Sequence, residues 1–403
     1  MLGGVAVPAY TDAVKQQSLW VAGVVATTLV ALAGCTSSPS STGASQAPTV
    51  AVEANVADGA QGVPVETLVQ VSVEHGTVVE TSLVAADDDA TAISGEGGDT
   101  AWRAGERLEP GTRYELSVTA RGEDGQDVTE TRSFATRHLT LDEQTYPSVA
   151  PLQGETVGVG MPVVVSFDLP VENRALYERN MAVRSEPQVE GSWHWISDTL
   201  VHYRPKEYWP AGTDVTVDLN LNSLPAGGGI YGQQDQLVEF EVGRQAITTV
   251  DVANHRLTYA VDGKTVRTIP VSTGKAGNET RGGTKIIMEK FDEVDMDAAS
   301  TGVDPSDPDY YDISDVQWAM RVTLSGEFLH AAPWSVGSQG NAYVSHGCVG
   351  MSTADAKWLY DRSMRGDVVD FVNSDRALEQ NNGWTDWNVD WDDWVAGSAL
   401  QQS

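Results

Sequence analysis

Apolar and polar residues alternate with period two along most of this chain, and Gly, Asp and Pro interrupt the alternation at short intervals. Alternation of this kind sets one face of a strand against a core and leaves the other in water. In a first block it predicts strands over 49–56, 67–73, 77–85 and 114–120. In a second block it predicts strands over 158–167, 193–196, 200–204, 214–219 and 237–242. From Ala246 the grammar changes. Three short strands with tight turns at Ala253-Asn254 and Asp262-Gly263 come first, then strands over 284–289, 318–323, 328–329 and 368–372. One segment switches to a helical period, from Ser352 to about 364. Ser352-Thr353-Ala354-Asp355 opens it in the manner of a capping box, and Ala356, Leu359, Tyr360 and Ser363 mark its inner face.

The first two blocks share a strand-turn-strand phrase. "WRAGERLEPGTRYELSVTA" in the first matches "YRPKEYWPAGTDVTVDLNL" (203–221) in the second, a weak internal repeat. The phrase resembles the hairpin edge of immunoglobulin-like sandwiches. The expected class is mainly β: two immunoglobulin-like β-sandwiches at 49–137 and 138–245, a β-rich domain with one main helix at 246–374, and a Trp-rich C-terminal subdomain at 375–403. Neither sandwich gathers His, Cys or paired carboxylates, so both read as spacers or binding arms. His194, between Trp193 and Trp195, reads as a core or interface histidine. Trp384, Trp387, Trp391 and Trp394 are spaced by three and four, which puts them on one helical or turn face. That face is expected to pack back on its own domain, with sugar stacking as the alternative.

Charge and the N-terminus place the chain in a compartment. There are 25 Lys+Arg against 57 Asp+Glu, a formal net charge of −32. Such a surface repels nucleic acid and anionic lipid. An apolar run of 14 residues, Leu19 to Leu32, follows a single basic residue, Lys15, and is short for a membrane span of about 20. It ends in Leu32-Ala33-Gly34-Cys35, followed by a Ser/Thr/Pro/Gly tether over 36–48. Leu-Ala-Gly-Cys resembles a bacterial lipoprotein signal, which implies cleavage before Cys35, lipidation of that cysteine, and anchoring at the extracytoplasmic face of the cell membrane. An uncleaved short anchor is the alternative. Cys348 is the one other cysteine and is expected to be a free thiol.

The candidate chemistry lies in "GEFLHAAPWSVGSQGNAYVSHGCVG", Gly326 to Gly350. A lone Cys348 among Ser, His and Gly, expected on an exposed loop before a helix, suits a nucleophile better than a packing residue. The helix dipole and a neighbouring imidazole are expected to lower its pKa. Gly347 lets the backbone bend so that amide N–H groups face a developing oxyanion. A nucleophilic thiol needs a base, and the base needs a third group to fix its tautomer. Two histidines, His330 and His346, are available, and spacing alone does not choose between them.

The stretch closely resembles the L,D-transpeptidase catalytic domain of the YkuD type. Its signature is a His, then 14 to 17 residues, then Ser/Thr-His-Gly-Cys; here 14 residues separate His330 from Ser345. With the lipoprotein signal and two immunoglobulin-like blocks, the chain is similar to actinobacterial lipoprotein L,D-transpeptidases. The resemblance implies Cys348 as nucleophile, His330 as general base, and the backbone carbonyl of Ala331 as the group orienting it. It implies that Ser345, His346 and Gly347 shape the oxyanion region, and that Tyr311 (or Tyr310), Trp334 and Met288 bind substrate. One departure stands out. Relatives commonly carry Asn or Arg two residues after the cysteine, and this chain has Gly350.

What the resemblance implies is acyl transfer between peptidoglycan stem peptides through a Cys thioester. Its donor is a tetrapeptide stem, its product a 3→3 cross-link, its inhibitors carbapenems, and it needs no metal or organic cofactor. Water as acceptor would make the protein an L,D-carboxypeptidase, and a catalytically silent wall-binding protein is the third alternative. The acid-rich stretch 292–315 lacks the spacing of a calcium loop and is expected to be a solvated, mobile lid.

Overall fold

Strands Gly76–Ala85, Arg113–Gly122 and Asp127–Ala135 pair antiparallel into the longest ladder of the first sandwich, with Ala92–Ile93 at its edge. The facing sheet runs in the order Ala51–Ala54, Gln70–Glu74, Ala101–Ala104, Gly95–Gly98. Val52, Val71, Leu83, Leu116 and Phe134 interdigitate between the two sheets. In the computed structural model the described residues are 48–86, 91–307 and 309–401, so the lipoprotein-type Cys35 and all but the last residue of the tether lie outside them.

The second sandwich repeats the plan. One sheet runs Pro147–Ala150, Val163–Phe167, Leu200–Pro205, Gly191–Trp195; the other runs Thr156–Val157, Gln236–Val242, Asp214–Leu219, Met181–Glu186. The repeat in the sequence is a repeat of burial. Leu108 and Trp209 precede the turn, Tyr114 and Val215, Leu116 and Val217, Val118 and Leu219 follow it, and all eight are buried. Period two has put the same side of each strand into its own core.

The last domain stacks two sheets with the helix. A six-stranded sheet has the order Lys264–Pro270, Arg256–Val261, Ala246–Asp251, Val368–Val372, Arg281–Ile286, Arg376–Ala377. A four-stranded sheet has the order Glu289–Asp297, Asp312–Arg321, Phe328–Ala331, Val349–Met351. Their shared core includes Val250, Leu257, Met320, Leu329 and Val349, and Ala356 and Leu359 of the helix close it. The expected boundary at Ala246 coincides with a strand start, yet Ile286 and Val368 of this domain lie in the core of the second sandwich. The two domains are joined through apolar contact as well as through the chain.

The helix spans Thr353–Tyr360, shorter than its periodicity suggests. Ser352 Oγ accepts the Asp355 N–H at 3.1 Å and donates to the Asp355 carboxylate at 2.7 Å. The early stop has a polar cause. The Asp367 carboxylate accepts the Met364 N–H at 3.0 Å and meets Arg244 Nη2 at 2.9 Å, drawing 361–367 into turns.

The Trp-rich tail packs in two directions: Asn382 and Asn388 hydrogen-bond to Ser325 and Thr284 of the catalytic domain, while Trp387 and Trp394 reach the second sandwich. Trp394 Nε1 donates to the Ser192 carbonyl at 2.9 Å and Trp387 Nε1 to Gly160 at 2.8 Å. Helix Trp391–Ala396 carries Trp391 and Trp394, while Trp387 sits in a turn before it. The reason lies in buried charge on the sandwich. Arg204 lies 4.9, 5.3 and 4.8 Å from the ring centroids of Trp387, Trp391 and Trp394. The buried Glu178 carboxylate accepts from Ser398 Oγ at 2.7 Å and from the N–H groups of Ala399 and Leu400 at 3.0 and 3.1 Å. Neither ion can stay buried without partners, and the tail supplies them. His194 stacks on Trp394 at 4.5 Å, an interface histidine as its flanking tryptophans suggested. Trp394→Ala should therefore lower the unfolding free energy by about 3–5 kcal/mol. Urea denaturation checks this; an unshifted midpoint would show that the tail lies outside the cooperative unit.

Candidate active site

Strands Phe328–Ala331 and Val349–Met351 pair in parallel, Leu329 opposite Val349 and His330 opposite Gly350. Side chains alternate along a strand, so His330 and Gly350 share a face, and Cys348, two residues before Gly350, shares it too. The three line one cavity of about 200 Å³ with Ser272, Met296, Tyr311, Trp334 and His346. The ladder thus brings together residues that lie far apart in sequence.

His330 is buried at the cavity wall. Its Nδ1 lies 2.8 Å from the Ala331 carbonyl oxygen. A carbonyl only accepts, so Nδ1 carries the proton and Nε2 keeps its lone pair. Burial lowers the imidazole pKa below its ordinary value, against the opposing pull of that hydrogen bond. Trp334 stacks on the ring with centroids 5.9 Å apart and leaves more than half of its own surface in solvent.

Ser345 closes the turn that carries the cysteine. Its hydroxyl donates to the Cys348 carbonyl at 2.6 Å and accepts the Gly347 N–H at 3.3 Å. Gly347 has φ of +121°, and a Cβ there would stand 3.2 Å from the Glu327 carboxylate. Only glycine takes that backbone without strain. Thr280 Oγ1 donates to the Gly347 carbonyl at 2.7 Å and fixes the far side of the turn.

The thiol itself departs from expectation. Cys348 is buried, not exposed, among Met296, Val316, Ala319 and Phe328. The strand Val349–Met351 stands between it and the helix N-terminus, so the helix dipole is spent about 10 Å away. Burial pushes the thiol pKa up to about 12, opposed by the Phe328 N–H. Sγ donates to the Gly326 carbonyl at 3.5 Å. The resting state at neutral pH is a thiol beside a neutral imidazole.

Other expectations sort by the same geometry. Tyr311 lies over the cavity with its ring 4.8 Å from that of His346, whose pKa burial and Lys275 lower. Met288 is not at the cavity; its sulfur packs toward Gly383 under the tail. Met296 occupies the wall instead, because it is the inward residue where Val294 and Met296 alternate with Asp295 and Asp297. That alternation was the signal that could have found it. The acid-rich stretch is only partly a loop, since 292–297 and 312–315 lie in paired strands. Its carboxylates cap turns: Asp297 accepts from Ala299 N–H at 2.8 Å, Asp304 from Ser306 at 2.8 Å and Asp307 from Asp309 at 2.9 Å. Gly350 exchanges both backbone hydrogen bonds with Ser272, at 2.9 and 3.0 Å. A Cβ on it would stand 2.8 Å from Ser272 Oγ and 3.0 Å from Ala332 Cβ. Ser272 and Ala332 occupy the space a side chain at this position would need, so glycine here fits its surroundings.

A buried thiol and an oriented imidazole on one cavity, set in a two-sheet domain behind two sandwiches, define a cysteine-dependent acyltransferase. Residues 245–371 match the L,D-transpeptidase catalytic domain, and residues 60–225 match a bacterial Ig domain. L,D-transpeptidase 2 of Mycobacterium tuberculosis is 36% identical over 354 residues, covering 86% of this chain and 84% of the relative. L,D-transpeptidase 5 of the same species is 37% identical over 298 residues, covering 72% of this chain and 64% of the relative. A solved L,D-transpeptidase in complex with imipenem is 35% identical with a TM-score of 0.50, covering 56% of this chain and 97% of that one. The chain belongs to the L,D-transpeptidase family.

Gly347→Ala should strain the turn by about 1–3 kcal/mol and press on Glu327. The expected outcome is a lowered unfolding midpoint together with slowed alkylation of Cys348, both read on the purified protein. Alkylation at the wild-type rate would mean that the turn tolerates a side chain.

Proposed function

We propose that this L,D-transpeptidase joins two peptidoglycan stems 3→3, with Cys348 as nucleophile and His330 as base. The observation that carries the reading is the Ala331 carbonyl on His330 Nδ1, which leaves Nε2 as acceptor on the cavity shared with Cys348. The sulfur turns from the Gly326 carbonyl to Nε2 and gives up its proton there as it attacks the carbonyl carbon after the third residue of a tetrapeptide donor. Because the thiol pKa is high and the imidazole pKa low, a free ion pair does not accumulate; proton transfer accompanies attack. Collapse of the tetrahedral adduct breaks the C–N bond, and the proton on Nε2 leaves with D-alanine. The side-chain amine of a second stem then attacks the thioester, gives its proton to Nε2, and releases the thiol. Ser345, His346 and Gly347 shape the oxyanion side, and Tyr311, Trp334 and Met296 hold the donor.

The solved relative binds imipenem. By the same attack, a carbapenem carbonyl acylates Cys348 here. On this reading a lipid at Cys35, where Leu32-Ala33-Gly34-Cys35 resembles a bacterial lipoprotein signal, tethers the enzyme outside the cell membrane.

Cys348→Ala should abolish dimer formation from purified tetrapeptide stems, read by mass spectrometry of the products; unchanged dimers would remove Cys348 as nucleophile. Tripeptide monomers in place of dimers from the wild-type enzyme would assign water as acceptor. The rate of carbapenem addition should be level through neutral pH and fall only as pH drops through the lowered His330 pKa, below about 6.5. A rate lost already near pH 7 would contradict a buried, neutral base.

A further inference from the structure

Behind the cysteine lies a buried ion pair, in which burial lowers the Lys285 pKa and the Glu327 carboxylate opposes that lowering. Lys285, on strand Arg281–Ile286, is fully buried, and Glu327, one residue before strand Phe328–Ala331, is nearly so. The Lys285 ammonium bonds the Glu327 carboxylate and lies 3.6 Å from the Phe371 ring centroid. Arg281 gives the other carboxylate oxygen its backbone N–H at 3.1 Å and Nη1 at 3.0 Å. Withdrawing two such ions from water costs several kcal/mol each, and an apolar pair of similar volume commonly stabilises a fold at least as well. Stability alone does not account for the pair.

Its position does. Gly326 and Phe328, on either side of Glu327, are the two residues whose backbone groups hold the sulfur: the Gly326 carbonyl accepts from Sγ at 3.5 Å, and the Phe328 N–H is bonded to it. The carboxylate faces the side of Gly347 where a Cβ would stand, 3.2 Å from that position in the cysteine turn. Thr280, next to Arg281, holds the Gly347 carbonyl at 2.7 Å. The carboxylate therefore ties the head of the His330 strand to the strand of Lys285 and packs beside the turn of Cys348, which Thr280 bonds.

Resting on the L,D-transpeptidase reading above, we propose that Glu327, fixed by Lys285 and Arg281, is a positioning residue for Cys348: the buried pair sets where the sulfur sits and the field in which it reacts. The two members act with opposite sign. The Glu327 carboxylate disfavours a thiolate at Cys348, while the Lys285 ammonium and the Arg321 guanidinium favour it. From the cavity side Cys348 faces Tyr311, His330 and His346, none of which the test alters.

Glu327→Gln and Lys285→Met should move the pH midpoint of Cys348 alkylation by iodoacetamide in opposite directions, down for the first and up for the second, read by intact mass. A pair that merely supports the fold would move both the same way or neither, and that result overturns the proposal. The double variant Lys285→Met/Glu327→Leu removes both buried ions. It should stay folded, melting below wild type because the Arg281 N–H and Nη1 lose their acceptor, and keep KM for the tetrapeptide donor within about twofold, while kcat for dimer formation falls about tenfold or more. A folded double variant with wild-type kcat overturns the proposal; if that variant does not fold, the two single shifts decide. A wild-type enzyme that forms no dimers defeats the functional reading instead, and the alkylation shifts still decide this one.

Discussion

The parallel pairing of Phe328–Ala331 with Val349–Met351 is the constraint on which the site depends. Parallel strands need a long connection, and here the connection is the run that carries Trp334, Ser335, Ser345 and His346. The same hydrogen bonds that hold the sheet fix His330 and Cys348 on one face, and the connecting segment returns over that face as the cavity wall. A slip of one residue in this register would send either His330 or Cys348 to the opposite side. Reactive geometry and sheet register are one property.

That register is itself held by polar groups in dry places. Glu327 receives Lys285 and Arg281 at the head of the histidine strand, and Ser345 and Thr280 close the cysteine turn. The same device recurs between domains, where Arg244 with Asp367 ties the second sandwich's end to the turn after the helix, and Glu178 and Arg204 draw in the tail. In each case a buried ion is costly unless every partner is in place. Such contacts specify one arrangement more sharply than apolar packing, which tolerates sliding.

Burial of the thiol bears on chemistry. In a dry, apolar cluster the thiolate is disfavoured, so Cys348 is protected when no donor is present. On the proposed mechanism the neutral, tautomer-fixed His330 makes such a thiol usable, since Nε2 takes the proton as attack proceeds. An exposed thiolate would react sooner with any passing electrophile.

The sequence by itself determined many of the strands, though not those at 127–135 and 181–186, and the sandwich repeat, the helix start at Ser352 and the Ser345-His346-Gly347-Cys348 motif, because these rest on local periodicity, capping and spacing. It also held the signal for Met296 in the alternation of 294–297, although Met288 looked the better candidate. Only the tertiary structure decided that Cys348 is buried, that the tail reaches the second sandwich, and that Lys285 and Glu327 meet behind Cys348. Each of these depends on what distant segments bring into contact. Burial and the pairing of buried charges are properties of that contact, and no local pattern records them.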